Sequence, residues 1–205
     1  HLDLACGDGI LGRSVAKEMG FLGLDVSPSL IQAAKAKDPS KMHHYEVKDV
    51  AKPFNLDLTF SHASCILAMQ NIENGEAVFK NVAKHLHKGG VFVFVINHPC
   101  FRIPRQSSWG VDEEKKIQYR RLDRYMTPMN IPIAAHPSQK GESPSTVSFH
   151  HPLSSFFSWC QSAGLLVQTC EEWCSNKVSE GKAAKMENRS REEFPLFLAI
   201  KAIKN

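Results

Sequence analysis

Along the first hundred residues, short apolar runs alternate with amphipathic segments, so the hydrophobic period switches repeatedly between strand-like and helix-like values. Residues 2 to 6 of the opening "HLDLAC" read as a strand, and Leu11 to Met19 as a helix ending near Gly20. "FLGLDV" supplies a second strand. "SPSLIQAAKAK" follows as a helix, with Ser27 placed to cap it and Pro28 at its first turn. "HHYEVKDV" predicts a third strand and "FSHASCILAM" contains a fourth. Residues 75 to 87 repeat at helical spacing through Ala77, Val78, Val82 and Leu86, and "KGG" supplies C-cap chemistry after them. "VFVFVI" is apolar without interruption, which suits a strand covered on both faces. Such alternation predicts a layered α/β fold whose ligand crevice lies beyond the carboxyl ends of the strands.

The rhythm breaks between 99 and 147. This stretch holds six of the chain's eleven prolines and the charged segment "DEEKKIQYRRLDRY". It has too little continuous apolar pattern to form a domain of its own, and reads as an insertion over the crevice. The alternation resumes with "HHPLSSFFSWCQSAG" as a capped helix, "LLVQTCEEW" as a strand and "FPLFLAIKAI" as a terminal strand. The polar "SNKVSEGKAAKMENRSREE" between the last two reads as an exposed loop with a helical piece. Residues 1 to 205 are thus expected to form a single domain.

Composition narrows the picture modestly. The 205 residues are 42% hydrophobic, enough for one ordinary core. A net charge of +4 slightly favours an anionic substrate but falls short of a dedicated nucleic-acid module. The scattered cysteines at 6, 65, 100, 160, 170 and 174 suit reduced thiols in a cytoplasmic protein better than a disulfide framework. Cys170 and Cys174 have no second pair to complete a zinc site, so no metal is expected. No apolar run approaches the roughly 18–20 residues that span a bilayer.

The candidate chemistry begins at "GDGILG", residues 7 to 12, which fits the glycine spacing of a dinucleotide turn. Its amides favour an anion or electron-rich ligand atoms, and Asp25 at the end of the second strand can accept from two ribose hydroxyls. Both features suit NAD and S-adenosylmethionine equally. Asp3 discriminates, because a carboxylate inside the first strand needs compensation that a nicotinamide fold does not supply. Asp49, at the end of the third strand, can accept from adenine's exocyclic amine while the Val50 amide meets a ring nitrogen.

"LDLACGDG", "GLDVS", "VKDV" and "HLHKGG" leading into "VFVFVI" together resemble class I S-adenosylmethionine-dependent methyltransferases, in particular the broad UbiE-like, or type 11, small-molecule group. Ala5 stands where that group usually has its first glycine, and Phe60-Ser61 where it usually has Phe-Asp. The resemblance implies a Rossmann-like, seven-stranded mixed sheet of order 3-2-1-4-5-7-6 with strand 7 antiparallel. It also implies that the cofactor is S-adenosyl-L-methionine. Asp3, Ala5, Cys6, Gly7, Asp8 and Gly9 would line its methionine part; Asp25 and Val26 the ribose; Asp49 and Val50 the adenine; and Ile66, Leu67 or Gln70 the later loop. The group carries helices ahead of its first strand, so an N-terminal helical portion is expected beyond His1.

Methyl transfer requires a nucleophile in line with the sulfonium methyl, and a base only where the acceptor must lose a proton. His98, in "VINHPCFR", is the first catalytic candidate, followed by His150 and Tyr119. Phe101, Arg102, Arg105, Trp109 and Arg124 are candidates to hold an acidic or aromatic small-molecule acceptor. Methylation of RNA or protein, a noncatalytic cofactor-binding module and a nicotinamide oxidoreductase remain as alternatives. Nucleic acid is disfavoured, since "NHPCF" lacks the second proline of amino-methylating DNA enzymes and follows the fifth strand rather than the fourth.

Overall fold

The computed structural model describes residues 1–134 and 145–205. In chain order the elements are β1 (Leu2–Leu4), β2 (Phe21–Asp25), α1 (Pro28–Lys37), β3 (His43–Val47), β4 (Phe60–Ile66), α2 (Gly75–His85) and β5 (Leu86–Asn97). Two hairpins follow, β6 (Ser107–Asp112) with β7 (Ile117–Leu122) and β8 (Met129–Ala134) with β9 (Ser145–His150). Then come α3 (Leu153–Ser162), β10 (Leu165–Trp173), α4 (Ala184–Glu193) and β11 (Phe197–Lys204).

The main sheet runs β3-β2-β1-β4-β5-β11-β10, the strand order expected from the sequence once the two hairpins are set aside. β1 to β5 are mutually parallel, while β11 is antiparallel to both β5 and β10. The "VFVFVI" run lies between β4 and β11, and Phe92, Phe94 and Ile96 are buried there. On one side, Phe79 of α2 meets Phe92 and Phe94 edge-on at 5.6 and 5.1 Å, and Phe156 and Cys160 of α3 complete the layer. A smaller cluster of Cys6, Phe21, Ile31, Ala34 and Tyr45 fixes α1 to the other side. α1 begins as expected, with Ser27 Oγ accepting from the Leu30 amide and Pro28 in its first turn.

Three expectations need correction. The Leu11 to Met19 helix is absent; only a 3-10 turn forms, at Gly12–Ser14. Tertiary contacts override the periodicity. A Cβ on Gly12 would lie 2.2 Å from the Tyr45 hydroxyl, Arg13 reaches back to the Asp8 carbonyl and carboxylate, and Ser14 Oγ donates to the Ile10 carbonyl. "KGG" does not cap α2, which ends at His85; the glycines lie within β5, where the register shifts between Phe60 and His62 and Gly89 has φ +79°. The helix after "HHP" starts only at Leu153 without a side-chain cap, because His150 is the last residue of β9.

The stretch read as an insertion carries the hairpin pairs of β6 with β7 and β8 with β9, and its residues 135–144 lie outside the described ones. β9 packs on the turn at Met69–Asn71, beyond β4, which brings a distant segment to the carboxyl end of the parallel strands. Among the described residues, no helix is long and apolar enough to cross a membrane.

Candidate functional site

The carboxyl ends of β1, β2 and β4 converge on two cavities with Ala5 in the wall of both. The first, of 290 Å³, is lined by Asp3, Cys6, Ile10, Leu11, Ile66 and Leu67 among others. The second, of 410 Å³, takes in Val26, Asp49, Val50, Asn71, Ile72 and Glu73. Ala5 and Leu67 have φ of +56° and +53°, in the left-handed region that costs an L-residue about 1–2 kcal/mol. Strained backbone at two facing strand ends is a mark of a functional site. Ala5 thus adopts the glycine-like conformation of the residue it replaces. Ala5→Gly is expected to raise stability by up to about 1 kcal/mol, checked by denaturant unfolding; a loss of more than that would show that the Ala5 methyl packs productively.

Asp25 organises the turn. Its Oδ2 accepts from the Gly7 amide at 2.8 Å and its Oδ1 from the Ser27 amide at 2.9 Å, which ties the loops after β1 and β2 together. Each oxygen keeps a second lone pair for a ligand hydroxyl. Gly7 has φ +56° with open space where a Cβ would stand, so the backbone is accessible there. Gly9 and Gly12, in contrast, press against Tyr45 and serve packing. Asp8 lines neither cavity; its carboxylate is held by Lys37 at 2.5 Å and by Arg13 at 3.7 Å.

Asp49 lies two residues beyond β3 rather than within it. Its Oδ1 accepts from the Ala51 amide and its Oδ2 pairs with Lys52 at 3.2 Å. The neighbouring Val50 is buried, yet its N–H has no partner among the described residues. An amide without a protein partner beside a carboxylate, in the wall of a cavity, is a donor and acceptor pair that a ligand edge can meet.

Asp3 is buried in β1, where Oδ1 accepts from Ser64 Oγ at 2.5 Å and Ser64 in turn meets His1 Nε2 at 2.7 Å. Burial pushes its carboxyl up from an ordinary 3.8 to about 7, opposed by the Ser64 bond and reinforced by the charge of Asp25. The native state therefore keeps a proton that the unfolded chain releases, and stability falls as pH rises from about 4 to about 7. The full effect is on the order of 2–4 kcal/mol. Unfolding at pH 5 and pH 8 checks it: Asp3→Asn is expected to remove the slope, and an identical slope in both proteins would overturn the assignment. Cys6 and Cys65 are buried near this carboxyl, and burial first, then the acid, holds both thiols far above their usual range. Neither is a nucleophile in this state.

A third cavity is a narrow slot of 30 Å³ at the end of β5, lined by Gln70, Asn97, Arg102, Ser148, His150, His151 and Phe156 among others. Gln70 joins it to the first cavity, since its Nε2 donates to the Leu67 carbonyl at 2.6 Å while its buried Oε1 has no partner. The predicted catalytic residues divide here. His98 is buried with both ring nitrogens engaged: Nδ1 accepts from the Cys100 amide at 3.2 Å, so Nε2 donates to Glu172 at 2.7 Å. No lone pair is left to take a proton. His150 differs, because its Nε2 meets the Tyr125 carbonyl at 2.7 Å and must carry the hydrogen, leaving Nδ1 as the basic atom. Burial lowers the basicity of His150 and His151, which keeps both imidazoles neutral.

Tyr119 does not reach the slot; it packs across Gly110 and lines a separate cavity with α4. Trp109 remains exposed with Arg120 and Phe194 against it, and Phe101 lies tilted against His98 at 4.8 Å and meets Phe194 edge-on. Arg105 and Arg124 are exposed and line none of the three cavities, so of the five substrate-binding candidates only Arg102 borders the slot. Both histidines of "HHP", His150 and His151, line the slot. Asn71, Ile72 and Glu73 were not among the candidates and lie in a turn without a motif.

Residues 2–92 match the family model described as a methyltransferase domain. The structure resembles an S-adenosylmethionine-dependent methyltransferase from Mesorhizobium loti with 26% identity and a TM-score of 0.77, over 99% of this chain and 90% of that one. The chain thus carries a methyltransferase domain on the class I S-adenosylmethionine-dependent methyltransferase fold. A candidate methyltransferase of the same cofactor class from Listeria monocytogenes is similar too, with 25% identity and a TM-score of 0.73 over 100% of this chain and 90% of that one. A glycopeptide N-methyltransferase solved with S-adenosylmethionine shares the fold, with 15% identity and a TM-score of 0.62 over 100% of this chain and 86% of that one. No curated protein matches the chain. The cofactor of this methyltransferase is S-adenosylmethionine, and the residues present fit it. The open Gly7 backbone, the Asp25 carboxylate and the Val50 amide beside Asp49 lie at successive strand ends and supply donors and acceptors of the kind the cofactor needs, although Gly7 and Asp25 line neither cavity.

Proposed function

We propose that this methyltransferase transfers a methyl group to an O, N or C nucleophile of a small molecule seated in the slot beside Gln70. What supports this reading is the arrangement of the three cavities, two meeting at Ala5 and the third reached through Gln70 and Leu67. Asp3, Ala5, Cys6, Gly7, Ile66 and Leu67 enclose the methionine part, Asp25 and Val26 hold the ribose, and Asp49 with the Val50 amide reads the adenine edge. Bound S-adenosylmethionine supplies an activated methyl, whose bonding electron pair stays with sulfur as the acceptor's lone pair forms the new bond. Gln70 Oε1 accepts from the acceptor's N–H or O–H and so aims its lone pair. His150 Nδ1 receives the proton where one must leave, with Tyr125 fixing the tautomer.

At 30 Å³ the slot has room for about one water in the unliganded chain, so an acceptor enters by widening it. Phosphate contacts on the hairpins are disfavoured, since Lys115 pairs with Asp112 and Arg121 with Asp123. Six free thiols suit a reducing compartment such as the cytoplasm. Calorimetry with S-adenosylmethionine, its demethylated product and NAD tests the cofactor half, with binding expected for the first two only. Incubation with methyl-labelled cofactor and fractionated extract tests the rest: label is expected in a small molecule, and label confined to RNA or protein would overturn the proposal.

A further inference from the structure

The Arg102 guanidinium borders the slot, half-buried, with one long hydrogen bond of 3.4 Å to the Leu196 carbonyl and the Phe197 ring 5.0 Å away. Arg120 is partly buried and bonds the carbonyl of Phe101, the residue before Arg102, so the two like charges oppose one another. Two of Arg120's N–H donors go to the Phe101 carbonyl at 2.7 Å and Ser107 Oγ at 2.8 Å, which hold its plane over Trp109. Among the described residues no carboxylate lies within ion-pair distance of either. Two like charges drawn from water with no counter-ion are unfavourable alone and become favourable when an anion arrives. His150 and His151, held neutral, neither supply nor cancel that charge.

We infer that Arg102, backed by Arg120, is the anion anchor of the slot and that the methyl acceptor is a small carboxylic acid bearing a protic nucleophile. This rests on the proposed function above and names its substrate class. Arg102 offers the planar fork that a carboxylate matches with two parallel bonds, while Arg120, tied to Phe101 and Ser107 and outside the slot's lining, supplies field rather than contact. Gln70 lines the slot, and its Oε1, buried without a donor in the unliganded chain, accepts from the acceptor's N–H or O–H once the slot widens around it. A carboxylate at one end and a hydrogen-bond donor at the other give the acceptor a single orientation.

The test uses benzoate, benzamide and inorganic phosphate as probes, titrated by calorimetry into the protein saturated with S-adenosylhomocysteine. Benzoate is expected to bind and benzamide not. Arg102→Gln is expected to weaken benzoate by about tenfold or more, the loss of a charge-assisted pair, with Arg102→Lys falling between. S-adenosylhomocysteine affinity reports folding and is expected to stay unchanged in both variants. Benzoate binding that is absent, or equal in Arg102→Gln, overturns the inference while leaving cofactor binding intact. Phosphate displacing benzoate with higher affinity reassigns the slot to phosphate. A parallel loss of S-adenosylhomocysteine in Arg102→Gln places the anchor on the cofactor's own carboxylate and also overturns it. Failure of the cofactor itself to bind the unaltered protein refutes the proposed function instead.

Discussion

Asp25→Ala is expected to cost the protein about 2–4 kcal/mol of stability and to weaken S-adenosylmethionine by roughly a hundredfold or more. Both effects come from the same two oxygens. In the unliganded chain they accept from Gly7 and Ser27, so their removal strands two amides at the loops after β1 and β2. A stranded amide costs its desolvation, partly offset here because the charge that repels Asp3 also disappears. With ligand, the remaining lone pairs are the acceptors for the ribose hydroxyls, so the variant loses both the contact and the pre-set turn. Asp25→Asn separates the two contributions: its single acceptor oxygen retains one tether and one ligand bond, and an intermediate result is expected. Denaturant unfolding and calorimetry on the same samples check both, and a folded Asp25→Ala protein with unchanged affinity would remove Asp25 from the site.

That residue was readable in the sequence because an acid ending an apolar run is locally anomalous. Asp3 stood out as an acid inside an apolar strand, and Asp49 by its place at the end of the third strand, which it falls just past. The parallel strands were equally legible, since "FLGLD", "VFVFVI" and "FLAIK" bury their side chains much as their apolar runs imply. The hairpins were not. The β6-β7 turn uses Asp112 to accept from the Lys115 amide and places Lys116 at φ +52°, so a lysine occupies the position that Gly or Asn would have advertised. The helix expected at Leu11 to Met19 failed for the opposite reason: its periodicity was present, but Gly12 had to admit the Tyr45 hydroxyl. Neither contact leaves a mark at the neighbouring positions of the chain.

The acceptor slot was the least legible part, because Gln70, Arg102, His150 and Phe156 come from four separate segments that only the packing of β9 brings together. Periodicity cannot rank histidines by their free lone pairs. His98 and His150 look alike as residues next to a strand end and a proline, yet one is saturated and the other is not.

This difference sets the second large expectation. His150→Asn should reduce turnover of a protic acceptor by about a hundredfold at neutral pH with little change in cofactor affinity, in the range of lost general-base catalysis. Because burial lowers the basicity of His150, the unaltered enzyme's rate should rise with pH through a value below the ordinary histidine range and then level. The variant should lose that inflection, with hydroxide or solvent taking the proton and the rate climbing into the alkaline range. His98→Asn, in contrast, breaks the Glu172 and Cys100 bonds and should lower stability while leaving the inflection in place. Stopped assays with labelled cofactor across pH 5 to 9 distinguish them, with unfolding measured on each variant. An inflection that survives in His150→Asn and vanishes in His151→Asn would move the base to the neighbouring imidazole. Loss in His98→Asn alone would mean that the Glu172 bond opens during turnover, and that the hydrogen-bond accounting in the resting chain does not select the base.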